Sequence, residues 1–224
     1  MRSNAARVGA TCAIAGSALL LVGTYLHPMD ADPNDAVAAF TEYAASGTWV
    51  ASHLVQLAGM ILMVAALLVV TRGLESRSAT AWARIAAAGA VASLAVTAAL
   101  QAVDGVALKR MVDAWAAAPP PEKDAAFRAA FAVRQIEVGL ASMLSIVLGL
   151  AVTACGLALL EDTEPRWLGA LAVAGGVPTT VAGVVIAHRG FSGLAMTINM
   201  WAGSLLLAWM ALLGVVLWRR GDWL

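Results

Sequence analysis

Charge is what this chain has least of. Asp, Glu, Lys and Arg make up 12% of the 224 residues, against 61% hydrophobic, and the mean hydropathy is +0.82. A water-soluble domain of this size carries roughly twice that share of charge, so a soluble enzyme or binding module is excluded. Formal net charge is +0, which removes the basic surface that a nucleic-acid partner needs. Cysteine is nearly missing as well. Cys12 and Cys155 match no CxxC or Cys/His spacing and sit inside apolar runs, where they read as small buried hydrophobes. The chain has no HExxH or ExxH motif, no internal repeat and no low-complexity tract, and it reads as a single transmembrane helical domain over 1–224.

The long apolar runs that are present set the architecture. Six of them, approximately 8–26, 51–70, 83–104, 135–159, 167–187 and 197–217, each supply the ~20 residues that cross a hydrocarbon core. The expected fold is an all-α integral membrane protein, a bundle of six transmembrane helices. The basic start and apolar stretch of "MRSNAARVGATCAIAGSALLLVGTYLHP" resemble a signal peptide, but the stretch is long and no A-x-A site comes after it. An uncleaved first span is therefore expected. Trp49, Trp82, Trp167, Trp201 and Trp218 fall at span ends, as an aromatic belt would. Placing both termini in the cytoplasm puts the larger share of Lys and Arg inside and the larger share of Asp and Glu outside, which favours an N-in, C-in orientation.

Two outer segments carry structure of their own. "DPNDAVAAFTEYAASG" opens with Asp32 as an N-cap and Pro33 at the first helical position, and closes with Gly47. This predicts a short surface helix over about 33–46 with Val37, Phe40 and Ala44 on one face. From Asp104 to Ala118 no breaker occurs after Gly105 until the prolines at 119–121. The third and fourth spans therefore run on as a helical hairpin projecting outside, turning at those prolines.

Polar groups inside spans are costly and tend to be functional, and here they share one depth. Counted at 1.5 Å per residue from the cytoplasmic end of each span, His27, His53, Gln101, His188 and Asn199 lie at about 28–30 Å, Asp104 at ~33 Å and Glu137 at ~36 Å. The cytoplasmic half offers only Ala, Leu, Val, Gly and scattered Ser and Thr, so no polar route crosses the membrane and transport is disfavoured. His53 shares a face with Gln56, Gln101 shares one with Asp104, and Arg134 shares one with Glu137. Pro178, after Gly175 and Gly176, is expected to bend the fifth span, splay the half carrying His188 and make room.

These residues predict a polar pocket in the outer leaflet. His53, His188, Asp104 and Glu137, with His27 as a third imidazole, form a donor set for Zn, Fe or Mn, with Gln56, Gln101, Arg134 and Asn199 lining the pocket. The favoured expectation is a metal site, and with it a metal-dependent enzyme acting on a lipophilic substrate, Asp104 or Glu137 serving as general base. The alternative is a b-type haem protein exchanging electrons with quinone, His53 and His188 being the axial ligands. The third reading is an accessory, sensor or transport protein whose polar layer only fixes helix packing. In that reading Arg134 and Glu137, one turn apart, are a structural ion pair.

Overall fold

The computed structural model describes residues 2–74, 76–162 and 165–219. Its helices are α1 (Arg2–Leu26), α2 (Ala36–Ala45), α3 (Trp49–Arg72), α4 (Arg77–Leu100), α5 (Lys109–Ala117), α6 (Pro120–Asp162), α7 (Trp167–Arg189) and α8 (Gly193–Arg219). A π-helical stretch, Gln101–Leu108, joins α4 to α5 without a break. No strand occurs among the described residues. Six helices are long and apolar enough to cross a membrane: Asn4–Leu26, Trp49–Arg72, Arg77–Ala117, Pro120–Asp162, Trp167–Arg189 and Gly193–Arg219. Long helices satisfy their backbone hydrogen bonds internally, as a lipid surrounding would require.

The six long helices close into a ring. Going round it, α1 packs on α3, α3 on α4, α4 on α6, α6 on α7, α7 on α8, and α8 returns to α1. Small residues let the neighbours approach closely. A Cβ on Gly176 of α7 would lie 2.7 Å from the Gly149 carbonyl and 2.8 Å from the Thr153 nitrogen of α6. Backbone atoms cannot give way as a flexible side chain can, so Gly176→Ala is expected to lower stability by about 1–3 kcal/mol. Denaturant unfolding in detergent measures this; an unchanged midpoint would disprove the backbone contact.

Half of the ring is solid. Ala10, Ala13, Val70, Ala83, Cys155, Leu159, Leu168, Leu213 and Leu217 are buried in one apolar cluster that fills the end nearer Arg72 and Glu161. Cys155 thus packs as the small hydrophobe its context suggested. At the opposite end α5, which continues α4 through the π-helical stretch, and α6 project beyond the other helices. Arg77–Ala117 counts 41 residues, about 60 Å at 1.5 Å per residue against the roughly 30 Å of a hydrocarbon core. The hairpin turning near Pro119 and Pro120 is therefore present.

The surface helix differs from its sequence reading. It begins at Ala36, not near 33, because Asp35 is the N-cap, its carboxylate accepting from the nitrogens of Val37 and Ala38. Asp32 instead anchors a turn, its carbonyl accepting from Asp35 N and its carboxylate from Asn34 N. Pro33 takes the second position of that turn, which suits its fixed φ equally well. The buried face is Ala39, Phe40 and Tyr43, while Val37 is exposed. Phe40 packs against Trp115 and Phe127 of the projecting hairpin, so α2 is held by protein and covers that end of the ring.

Pro178 lies inside α7 without ending it. The far half of that helix does not part from α6. Beyond the proline, Gly183 still lies against Ile146 and the Ser142 carbonyl, and the Ser142 hydroxyl donates to the Gly183 carbonyl at 2.9 Å. That bond and the contact hold the far half of α7 on α6, so the room inside the bundle comes from the ring.

Candidate metal centre

His53 stands one turn into α3, and close helix packing decides its neighbours. Across from it on α1, a Cβ on Gly23 would lie 2.8 Å from the Ser52 carbonyl. This contact brings the end of α1 beside the start of α3, and the loop leaving α1 carries His27 next to His53, ring centroids 5.0 Å apart. Glu42 of α2 fixes that loop by accepting from the nitrogens of Asp30 and Ala31. Thr48 adds a bond to the Leu26 carbonyl.

Asp104 arrives from the π-helical stretch. A π turn inserts a residue into the α-helical repeat and re-aims the side chains beyond it, and such turns occur often at functional sites. Gly105 lets this segment lie against α3: a Cβ there would meet His53 Cβ at 2.5 Å. The Trp49 indole donates to the Asp104 carbonyl at 3.0 Å. Gly105→Ala should therefore push His53 out of register, loosening the site and costing about 1–3 kcal/mol of stability. A variant that matched wild type in both unfolding midpoint and bound metal would show that the contact does not constrain His53.

The resulting geometry could hold a metal ion. One ligand atom from each of His27, His53 and Asp104 lies within 4.8 Å of the other two. His53 Nδ1 donates to the Trp49 carbonyl at 2.7 Å, and His27 Nδ1 to the Pro28 carbonyl at 2.7 Å. A carbonyl only accepts, so Nδ1 carries a hydrogen in both rings, and in a neutral ring Nε2 then holds the lone pair. A histidine whose other nitrogen is pinned to a backbone carbonyl is the arrangement typical of metal ligands. His53 Nε2 then faces Asp104 Oδ2 at 3.0 Å. A lone pair and a carboxylate oxygen at that distance repel unless a proton or a cation joins them. Asp104 Oδ1 is buried and has no hydrogen-bond partner. Burial, and next the neighbouring His53, hold the His27 pKa below its ordinary value, which keeps that imidazole neutral and able to ligate.

Aromatic rings wall the site. Trp49 packs on His27, His53 and Tyr43, with centroids 4.7, 4.7 and 4.2 Å away. It is buried and so does not belong to the interfacial belt, whereas Trp82, Trp167, Trp201 and Trp218 are exposed. Beside the site lies a cavity of about 220 Å³, lined among others by His27, Asp104, Arg134, Glu137, Tyr43 and Phe191.

The other expected site residues fall elsewhere. Glu137 lines this cavity, but both of its oxygens accept from Arg134 Nη1, at 3.2 and 3.0 Å. Arg134 also donates to the Tyr43 hydroxyl and the Pro33 carbonyl, and its guanidinium lies over the rings of Tyr43 and Phe191. Burial pushes the Tyr43 phenol up to about 12, so it keeps its proton. Glu137 is thereby kept out of the donor group, its carboxylate already taken by a residue one turn away. His188 is exposed on the last turn of α7. The buried face of that helix runs through Thr179, Ala182, Gly183 and Ile186, and a residue two beyond Ile186 points about 200° round from it. Without His188, and with a carboxylate oxygen 3.0 Å from His53 Nε2, the bis-histidine haem arrangement finds no geometric support.

Gln56, Gln101 and Asn199 line a second cavity, of about 270 Å³, at the centre of the ring. Gln101 donates to Gln56 Oε1 at 3.2 Å, while its own Oε1 is buried without a partner. The single polar layer expected from helix depth is thus two adjoining places, and Phe191 lines both. No family model matches this chain, and neither a curated protein nor a solved structure resembles it significantly. The class defined by fold and site is a helical protein with six candidate membrane spans and a His/Asp group that could hold a metal ion.

Proposed function

We propose that this is a multi-pass membrane protein that binds Zn, Fe or Mn through His27, His53 and Asp104 and uses it as an enzyme on a lipophilic substrate. The observation that carries the reading is the convergence of three lone-pair donors, two of them on imidazoles pinned at Nδ1 by backbone carbonyls. Bonds of about 2.0–2.1 Å place tetrahedral ligands roughly 3.3 Å apart. The His53–Asp104 separation of 3.0 Å is close to this, and the His27 ligand atom, within 4.8 Å of both, moves inward to complete the set. Two histidines and a carboxylate suit catalytic Zn or non-haem Fe(II), and three protein ligands leave a position open for water or substrate. A metal so held supplies a Lewis acid and an activated water.

The chain's own residues do the rest. Trp49 and Ser52 orient His53, Trp49 also holds the Asp104 carbonyl, and Glu42 fixes the loop bearing His27. Arg134, balanced by Glu137, keeps a buried cation at the cavity wall without consuming Asp104. The site faces the extracytoplasmic side in this reading, with both termini cytoplasmic; the charge bias of the loops supports that orientation.

Metal analysis of protein purified without an affinity metal tests the function. Stoichiometric Zn, Fe or Mn that is lost in His53→Ala is the expected result; wild-type protein that takes up none of the three ends the reading. For orientation, a cysteine introduced at Pro120 should react with an impermeant reagent in intact cells, and one at Glu161 should not. The reverse pattern would place the site on the cytoplasmic side.

A further inference from the structure

The chamber at the ring's centre has a direction. All six long helices contribute to its wall, from Leu20 of α1 to Met210 of α8. On α3 it runs from Gln56 to Leu67, on α6 from Ala141 to Val152, and on α8 from Asn199 to Met210. Each is an advance of eleven residues, roughly 16 Å along a helix. Three helices thus agree on a long, narrow space. Its amides, Gln56, Gln101 and Asn199, all lie at the end nearest His53 and Asp104; deeper in, the wall is mainly Leu, Met, Val and Trp209. Leu67, Val152 and Met210 themselves belong to the buried apolar cluster that closes the ring, so the chamber is blind. A pore would need the opposite.

We infer that this chamber binds one medium-chain lipophile carrying a hydroxyl group, its hydrocarbon tail toward Met210 and its hydroxyl at Gln101. By the yardstick of a ~150 Å³ cavity that takes up one benzene, the volume of about 270 Å³ holds roughly ten carbon atoms, and beyond the amides its mainly apolar wall offers water few partners. Met60, Met63 and Met210 line it, and flexible thioethers adapt to a chain that itself has many conformers. Gln101 Oε1 is a buried acceptor without a partner; a buried acceptor of that kind requires a donor, and a hydroxyl supplies one where an ester or a hydrocarbon cannot. Phe191 separates this end from the His27–His53–Asp104 cavity, so the head group of such a lipid lies one ring away from the proposed metal. Naming the lipid as substrate rests on the metal reading; its binding does not.

Decanol with a mid-chain diazirine, photolysed with the full-length protein in detergent, tests this, with labelled residues mapped by mass spectrometry. Saturable label on Met63, Val64 or Met210 is expected, at least tenfold reduced by excess decanol and not by decane. Gly203 lines the chamber and has open space where a Cβ would go, so Gly203→Leu should fill it and remove that label. Label on lipid-facing Ile61 or Leu212, both exposed, should persist. Gln101→Leu should erase the preference for alcohol over alkane. Label confined to exposed residues, or chamber label that decane displaces as well as decanol does, would overturn the inference. The wild-type competition needs no variant and so stands even if Gly203→Leu fails to fold. Run with and without chelator beside metal analysis, the experiment separates the two ideas: chamber label without metal removes only the metal reading, and metal without chamber label removes only the lipid.

Discussion

Asp104→Asn is expected to strip the protein of its metal while leaving it folded and inserted. Asparagine keeps the size and much of the hydrogen bonding of aspartate but not the charge that balances a dication. A ligand lost outright should leave metal far below stoichiometric. A residue that merely oriented a histidine would lower affinity by roughly 10–100-fold and leave some metal bound. Three features favour the first outcome. Asp104 Oδ2 lies in the ligand group, its Oδ1 has no other partner, and its backbone is separately held through the Trp49 indole. The substitution should therefore change the donor set without moving the helix. Metal content and unfolding midpoint must be measured together. An Asp104→Asn protein that keeps wild-type metal and loses stability would instead mean that Asp104 serves to pair a protonated His53.

Arg134→Met should be the most destabilising single substitution near the site. Arg134 and Glu137 are both buried, with side-chain exposures of 7% and 6%. Removing the cation leaves a carboxylate in a low-dielectric wall without its counter-charge, a loss of about 3–5 kcal/mol. It also removes the bond to the Pro33 carbonyl that ties α6 to the loop bearing His27. Replacing both partners by apolar residues, Arg134→Met with Glu137→Leu, should recover much of that loss, because a buried pair is expensive to break and cheap to omit. The double-mutant cycle in denaturant measures the coupling. Metal content in the double variant should stay near wild type. If Glu137→Gln alone abolished metal binding, Glu137 would be a ligand after all and the ion pair secondary.

Sequence alone determined the six long apolar helices, the projecting hairpin and the candidate residues. Hydrophobic length and the cost of intramembrane charge are local quantities, readable wherever a run begins and ends. The pairing of Arg134 with Glu137 was legible for the same reason, since residues three apart on a helix are neighbours in any fold. The position of Gly105, and its use for close approach to a neighbouring helix, was legible too. The tertiary structure decided which polar groups meet. Depth along a helix axis comes from counting, but the angle around the axis depends on which neighbour a helix packs against. That is why His188, at the right depth, faces away, and why Glu137 reaches the cavity but not the donor group. The π-helical stretch rotates Asp104 relative to any straight-helix projection. Trp49 carried a signal in its spacing, four residues before His53 on the same face, yet a tryptophan at a span end reads equally well as an interfacial anchor. Only the approach of α1, α2 and the π turn makes it a wall of the site. His27 lies in a loop, where no periodicity applies, and its place beside His53 was decided by the tight packing of α1 on α3 and the hold of Glu42 on the loop between.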